Sequence, residues 1–192
     1  MPDLVLASSS PYRRALLERL GLAFQCAAPD IDETPRPNES AEQLTQRLAL
    51  GKAQALAGRF TDHLIIGSDQ VLLLDGQPIS KPGNHTAAQQ QLRRCSGRTV
   101  EFTTSLCLLN SRTGAYQLTS EPFHVSFREL DEDSIERYLL REQPYDCAGS
   151  FKMEGLGITL FRALRGDDPH SLIGLPLIRL CDMLRQEGVR LP

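Results

Sequence analysis

The 192-residue sequence has no Gly-x-x-x-x-Gly-Lys-Ser/Thr loop and no Gly-x-Gly-x-x-Gly fingerprint, which argues against a P-loop NTPase and a Rossmann dehydrogenase. It also lacks the Gly-x-Ser-x-Gly elbow of a Ser-His-Asp hydrolase. Its five cysteines (Cys26, Cys95, Cys107, Cys147, Cys181) are odd in number and contain no Cys-x-x-Cys pair, so neither a disulfide framework nor a zinc site is indicated. They are expected to be buried thiols in a reducing compartment. The four histidines, His63, His85, His124 and His170, are dispersed without ligand spacing and read as structural or surface residues. With a net charge of −3 and no long basic run, a nucleic acid polymer is not expected as partner. No signal peptide and no apolar stretch long enough to span a bilayer is found, so the expectation is a cytoplasmic protein without membrane contact.

What is present is enough apolar sequence, 41%, for one sizeable core, and a single domain over 1–192 is expected. Leu4 to Ala7 form a short apolar strand. Ser10 is positioned as an N-cap and Pro11 as the first residue of a helix running to about Leu20, before Phe24 to Ala28 return as a strand. After a loop rich in Pro and acid, Ser40 and Gln43 have capping-box spacing at the head of a long helix to about Ala57. On that helix Lys52 projects into the apolar arc of Leu44, Leu48, Ala55 and Leu56, and so should point inward. Leu64 to Gly67 is the next strand, and Val71 to Leu74 is expected to pair with Gln77 to Ile79 through an Asp75-Gly76 turn. Thr86 and Gln89 repeat the capping-box spacing for a helix ending near Gly97. Thr99 to Asn110 and Ala115 to Phe127 read as a two-stranded antiparallel arm. A polar helix covers about Asp133 to Arg141, a last strand lies near Gly157 to Phe161, and Pro176 opens a terminal helix with Leu177, Leu180, Cys181 and Leu184 as its apolar stripe. The class is α/β with a mixed sheet.

The chemistry-bearing groups begin at the first strand-to-helix junction, Ala7-Ser-Ser-Ser-Pro-Tyr-Arg-Arg14. Free N–H donors and the helix dipole there favour an anion. Arg13 and Arg14 diverge by about a quarter turn on a helix. Arg14 has Glu18 four residues on, which leaves Arg13 for the anion. Gly67-Ser-Asp-Gln70 stands where an apolar strand ends, a place where open α/β sheets set out ligand groups, so Asp69 is a candidate base or metal ligand. Asp30, Asp32 and Glu33 form an acidic knot that would suit a divalent cation beside a phosphate. Lys52, Lys81 and Arg13 form a cationic set suited to a triphosphate, and Glu154 carries a carboxylate able to accept from the guanine N1–H and N2–H edge.

In their order along nearly the whole chain, Ala7 to Arg14, Asp32-Glu33, Lys52-Ala53, Ser68-Asp69, Lys81-Pro82 and Lys152 to Gly155 resemble the Maf family of nucleoside triphosphate pyrophosphatases. The resemblance implies an elongated mixed β-sheet flanked by helices, related to the inosine triphosphatase-like architecture, often a homodimer, and release of pyrophosphate dependent on a divalent metal (Mg²⁺, Mn²⁺ or Co²⁺). Ser68-Asp-Gln-Val71 and Lys152-x-Glu-Gly155 look like the branch that hydrolyses 7-methyl-GTP, whereas the dTTP/UTP branch generally has Asp-Thr-Val and a glutamine at those places. Two departures stand out. Tyr12 occupies a position where the branch commonly has Trp, and Gly51 one where members often have Glu.

On this resemblance Asp69 is the catalytic base, Ser8, Arg13, Lys52 and Lys81 bind phosphate, Glu33 and Asp69 hold the metal, and Tyr12, Gln70 and Glu154 select the base. A dTTP/UTP pyrophosphatase and a nucleotide-sensing regulator of cell division with little turnover remain the alternatives.

Overall fold

The computed structural model describes residues 3–192. In chain order its elements are β1 (Asp3–Ala7), α1 (Pro11–Glu18), β2 (Phe24–Ala27), α2 (Ala41–Ala57), β3 (His63–Leu74), β4 (Gln77–Ile79), α3 (His85–Cys95), β5 (Thr99–Asn110), β6 (Tyr116–Phe127), α4 (Glu132–Glu142), β7 (Phe161–Arg165) and α5 (Leu177–Gln186). Short 3-10 turns occupy Ala148–Ser150, Leu156–Leu160 and Pro169–Ile173. The strand order is β2-β1-β3-β5-β6-β7, with β4 paired to β3. β1 is parallel to β2 and β3, whereas β4 and β7 run antiparallel to their neighbours, so the sheet is mixed, as expected.

The chain divides into two compact units. The first comprises residues up to Gln70, Thr104–Glu121 and Asp168 onward; the second comprises Val71–Thr103 and Pro122–Asp167.

In the first unit both sheet faces are buried, which is why β1 and the start of β3 read as continuous apolar runs. Leu4, Leu6, Leu64, Ile66, Leu106 and Leu108 face α1 and α5, meeting Leu16, Leu17, Leu180 and Leu184. Val5, Ala7, Ile65, Cys107 and Leu109 face α2, meeting Ala49, Ala53 and Leu56. Each of Leu64, Ile65 and Ile66, fully enclosed, contributes about 1.5–3 kcal/mol relative to exposure. In the second unit Phe151 sets its ring edge-to-face against Phe102, Phe127 and Phe161, at centroid distances of 5.6, 5.6 and 4.9 Å.

Several local signals act as read. Ser10 caps α1 by accepting from Arg13 N–H, and Ser40 with Gln43 forms a reciprocal capping box on α2. Others need correction. β3 does not stop at Gly67; it continues through Ser68, Asp69 and Gln70 to Leu74. The polar triplet looked like a strand end because its side chains are not apolar, yet its backbone stays extended. α3 is capped by Asn84, which accepts from Ala87 N–H at 2.9 Å, and not by Thr86. The long runs are no separate arm: β5 lies between β3 and β6, and β6 between β5 and β7. Leu156–Leu160 is a 3-10 turn and the last strand follows it. In α5 Met183 takes the buried place assigned to Cys181, which is half-buried.

All five thiols are free, but only Cys95 and Cys107 are buried, with burial pushing them up to about 11 and about 12. Cys26 is exposed on the edge strand β2. Among the described residues no helix is long and apolar enough to cross a membrane.

Gly67 is where α2 and β3 come closest: a Cβ there would lie 2.0 Å from the Ala49 carbonyl oxygen and 3.1 Å from Ala53 N. Both obstacles are backbone and cannot swing aside. Gly67→Ala should therefore destabilise by at least about 1–3 kcal/mol, read as a fall in urea midpoint at unchanged slope. A wild-type midpoint would contradict this close approach.

The loop before α2 is tied to the helix by a two-pronged contact, Arg47 Nε to Glu39 Oε1 at 2.6 Å and Arg47 Nη2 to Glu39 Oε2 at 2.9 Å. Arg47 Nη2 also donates to the Thr34 carbonyl at 3.0 Å. The Arg47 hydrogen bonds and one from Arg36 N–H lower the Glu39 carboxyl to about 2. A carboxyl lowered on folding adds stability above its unfolded value of about 4.3, and that share is lost as pH falls through the folded value. In a carboxyl NMR titration Glu39 should titrate near 2, and in Arg47→Met it should move back toward about 4.3. An Arg47→Met titration identical to wild type would show that the contact does not persist in solution.

Candidate active site

The centre of the first unit is the Lys52 ammonium. Lys52 sits on the buried face of α2, between Ala49 and Ala53, and is only 6% exposed. Because Gly67 lets α2 touch β3, and because residues two apart on a strand share a face, Asp69 projects toward the same side. Lys52 Nζ donates to Asp69 Oδ1 at 2.7 Å and to Glu33 Oε2 at 3.1 Å. Asp69 is 7% exposed. Its carboxyl is held above the ordinary value by desolvation, against the lowering pull of Lys52 and Arg13. The result is a carboxylate with increased proton affinity, fixed beside a cation.

Ser68 and Gln70, on the opposite face of β3, hold the segment between β7 and α5. Ser68 Oγ lies 2.9 Å from the Ser105 carbonyl and 2.9 Å from the Gly174 carbonyl, so its single proton serves one of them at a time. Gln70 Nε2 donates to Thr104 Oγ1 at 2.8 Å and to the Ser171 carbonyl at 2.7 Å. The Gly174 carbonyl also accepts Arg13 Nε at 2.8 Å. Gly174 has φ +111°, and a Cβ there would stand 3.3 Å from Arg13 Nε, so glycine leaves room for the guanidinium. Burial lowers the Arg13 pKa, offset in part by Asp69 and Glu33. Arg14 pairs with Glu18 at 3.0 Å on the surface, as read from its spacing. At the start of the same helix Ser8, 8% exposed, accepts from Ser10 N–H at 3.1 Å.

Of the sequence-predicted residues, the structure thus brings Lys52, Asp69 and Glu33 into contact, with Arg13 electrostatically coupled to both carboxylates. Ser8 and the half-buried Tyr12 lie on the β1-to-α1 junction of the same unit. Lys81, exposed after β4, and Glu154, exposed before the second 3-10 turn, belong to the other unit. In the acidic knot Glu33 alone reaches Lys52; Asp32 accepts from Thr34 N–H at 2.9 Å and Asp30 is exposed. At Gly51 a Cβ would meet Ile31 Cδ1 at 3.5 Å, an ordinary contact, so the backbone does not demand glycine there.

Sequence reasoning passed over Asp168. It is 1% exposed and accepts from His170 N–H and from Ile178 N–H, at 2.9 and 2.7 Å, thereby fastening the segment that carries Gly174 to the start of α5. Asp168-Pro169 was a legible turn start, but its reach to Ile178 crosses ten residues and has no local signature.

Two carboxylates on one ammonium are a small donor set, which fits a cation such as Mg²⁺ that takes one or two carboxylates and completes its shell with substrate phosphates and water. Among the described residues no group of three or more His, Cys, Asp and Glu is gathered.

A sequence model of the family described as Maf-like protein matches residues 3–187. The chain belongs to the Maf-like family. It is similar to proteins named 7-methyl-GTP pyrophosphatase from Pseudomonas aeruginosa PAO1, at 59% identity, and from Pseudomonas savastanoi pv. phaseolicola, at 61%; both matches cover 100% of each chain. The Pseudomonas syringae pv. tomato protein of the same name is 60% identical over the same span. Among solved structures, the Staphylococcus aureus Ham1 protein matches at TM-score 0.54 and 14% identity, covering 98% of this chain and 100% of that one. That likeness places this Maf-like chain in the same fold.

Lys52→Met keeps the unbranched stem and removes the charge. Without Lys52 the Asp69 carboxyl should rise further, and a carboxyl raised on folding loses stability as pH climbs through its folded value. The variant should lose about 3–5 kcal/mol at pH 8 and clearly less at pH 5, with Asp69→Asn on top restoring part of the loss at pH 8. Urea denaturation in EDTA reads all three. Equal losses at both pH values would contradict a buried Lys52–Asp69 pair.

Proposed function

We propose that this Maf-like protein is a nucleoside triphosphate pyrophosphatase that hydrolyses 7-methyl-GTP to 7-methyl-GMP and pyrophosphate, removing a modified nucleotide from the pool. The observation that carries the reading is the Asp69 carboxylate, raised in proton affinity by burial and held 2.7 Å from Lys52 Nζ. A protein that merely sensed nucleotides would need the cations but not this base. The substrate comes from the full-length relatives that bear that name. The family match runs through both units, and on that ground residues 1–192 are kept as one functional domain.

In the proposed reaction Asp69 accepts a proton from water as the water oxygen bonds to the α-phosphorus. The bond from that phosphorus to the bridging oxygen breaks, and the electron pair leaves with pyrophosphate. Lys52 and Arg13 neutralise triphosphate charge, and the Ser8 hydroxyl orients a phosphate oxygen. Glu33 and Asp69 would hold a divalent cation, which would supply Lewis-acid stabilisation of the negative charge that develops on the leaving group. Lys81 as a further phosphate ligand and Glu154 as reader of the guanine edge take their roles from the family resemblance. Tyr12 offers an aromatic face to the positively charged 7-methylpurine. Gln70, with its amide nitrogen committed to Thr104 and Ser171, would act on base choice through the segment it holds. A cytoplasmic homodimer completes the proposal, and free thiols throughout the described chain support a reducing compartment.

A nucleotide panel with Mg²⁺, Mn²⁺ or Co²⁺ tests this reading. The expected products are nucleoside monophosphate and pyrophosphate, with kcat/KM higher for 7-methyl-GTP than for UTP and turnover abolished by excess EDTA. Orthophosphate as first product overturns the pyrophosphatase reading, a preference for UTP overturns the substrate, and full activity in EDTA removes the metal. Asp69→Asn should lower kcat at least about 100-fold in a folded protein. A near wild-type kcat would make Asp69 a structural residue of β3.

A further inference from the structure

The turn that carries Glu154 is clamped from both ends by one helix. Glu142, the last residue of α4, accepts the Leu156 N–H at 2.7 Å through Oε2. One turn earlier on α4, the Tyr138 hydroxyl accepts the Lys152 N–H at 3.2 Å. Residues four apart on a helix share a face, so a single stripe of α4 holds the backbone two positions before and two positions after Glu154. Between these anchors the turn closes on itself: the Lys152 carbonyl accepts from Gly155 N–H at 3.3 Å and from Gly157 N–H at 3.1 Å.

Gly157 is required by that closure, whereas Gly155 leaves room for the Glu142 carboxylate against the turn. A Cβ at Gly155 would stand 2.6 Å from Glu142 Oε2, and one at Gly157 would stand 2.3 Å from the Lys152 carbonyl oxygen. Glu142 also occupies an electrostatically poor place, because a carboxylate in the last turn of a helix faces the negative end of the dipole. Its hydrogen bond to Leu156 offsets that penalty. Glu154 itself is exposed at the apex, its backbone fixed and its carboxylate outward.

We infer that Glu142 and Tyr138 are positioning residues for base selection, which hold the Lys152-to-Leu156 turn so that the Glu154 carboxylate meets the guanine edge in one orientation. This rests on the reading of Glu154 given above. A bidentate contact to a base edge needs both acceptor oxygens aligned, so loosening the turn weakens recognition without touching the phosphate chemistry. Neither residue would contact the nucleotide.

The test compares Glu142→Ala, Glu142→Gln, Tyr138→Phe and Glu154→Gln by the ratio of kcat/KM for 7-methyl-GTP to that for UTP, together with amide hydrogen exchange at Lys152 and Leu156. Glu142→Ala should lower the ratio about 10-fold, the scale of one base-edge contact, through KM for 7-methyl-GTP with kcat for UTP unchanged. Exchange at Leu156 should rise. Glu142→Gln, whose amide oxygen still accepts from Leu156 N–H, should keep the wild-type ratio. Tyr138→Phe should free Lys152 N–H and lower the ratio as well, which keeps the inference testable if the alanine variant folds poorly. A wild-type ratio in Glu142→Ala and Tyr138→Phe alongside a reduced ratio in Glu154→Gln overturns the clamp and leaves Glu154 as reader. A ratio indifferent to Glu154→Gln overturns the reading of Glu154 and, with it, the role inferred for α4.

Discussion

A lysine ammonium sealed against two carboxylates is the constraint around which the first unit is arranged. Removing a charge from water is costly, and a single partner seldom offsets the loss, so the geometry around it must be tight. The tightness comes from small residues. Gly67, Ala49 and Ala53 bring the backbones of α2 and β3 together, and the long lysine stem crosses what is otherwise an apolar contact. Asp69 then has Lys52 for its cation, while Glu33, more than half exposed, joins from the preceding loop. The loop is in turn held by Glu39 on Arg47, so that α2 serves both ends of the arrangement.

The same strand organises a second set of contacts on its other side. Alternation along β3 sends Gly67 and Asp69 toward α2, and Ser68 and Gln70 toward the Asp168-to-Gly174 segment. Arg13 closes that second set through the Gly174 carbonyl while its charge remains coupled to Asp69 and Glu33. A polar tetrapeptide inside a buried strand thereby coordinates both the base and the guanidinium. This explains why the strand carries two buried polar side chains, Ser68 and Asp69, in succession.

Much of this was legible in the residues. The inward direction of Lys52 followed from the helical projection, the caps of α1 and α2 from Ser10, Ser40 and Gln43, and the surface pairing of Arg14 from Glu18. Each of those is a local regularity within one element. What escaped was non-local. That β3 runs on through Ser68-Asp69-Gln70 depends on strand partners that supply its hydrogen bonds, and Thr99 to Phe127 looked like an isolated arm because sequence does not display β3 and β7 on its flanks. Asn84 took the cap from Thr86 because several polar residues compete near that helix start and local spacing does not rank them. Asp168 and Glu142 work across ten and fourteen residues, beyond any capping or turn pattern. The family resemblance supplied roles for Lys81 and Glu154 that composition and periodicity do not.

The chain has three lysines, Lys52, Lys81 and Lys152, which makes the central claim open to direct observation. With ¹⁵N-labelled lysine, the ζ-nitrogen spectrum should show Lys52 as a signal sheltered from rapid proton exchange, since its ammonium is hydrogen-bonded to Asp69 and Glu33. Titration with the non-hydrolysable α,β-methylene analogue of 7-methyl-GTP and Mg²⁺ should shift that signal saturably as triphosphate oxygens join its surroundings. A Lys52 signal that stays in place while the analogue saturates the protein would contradict a nucleotide site built on the Lys52–Asp69 pair.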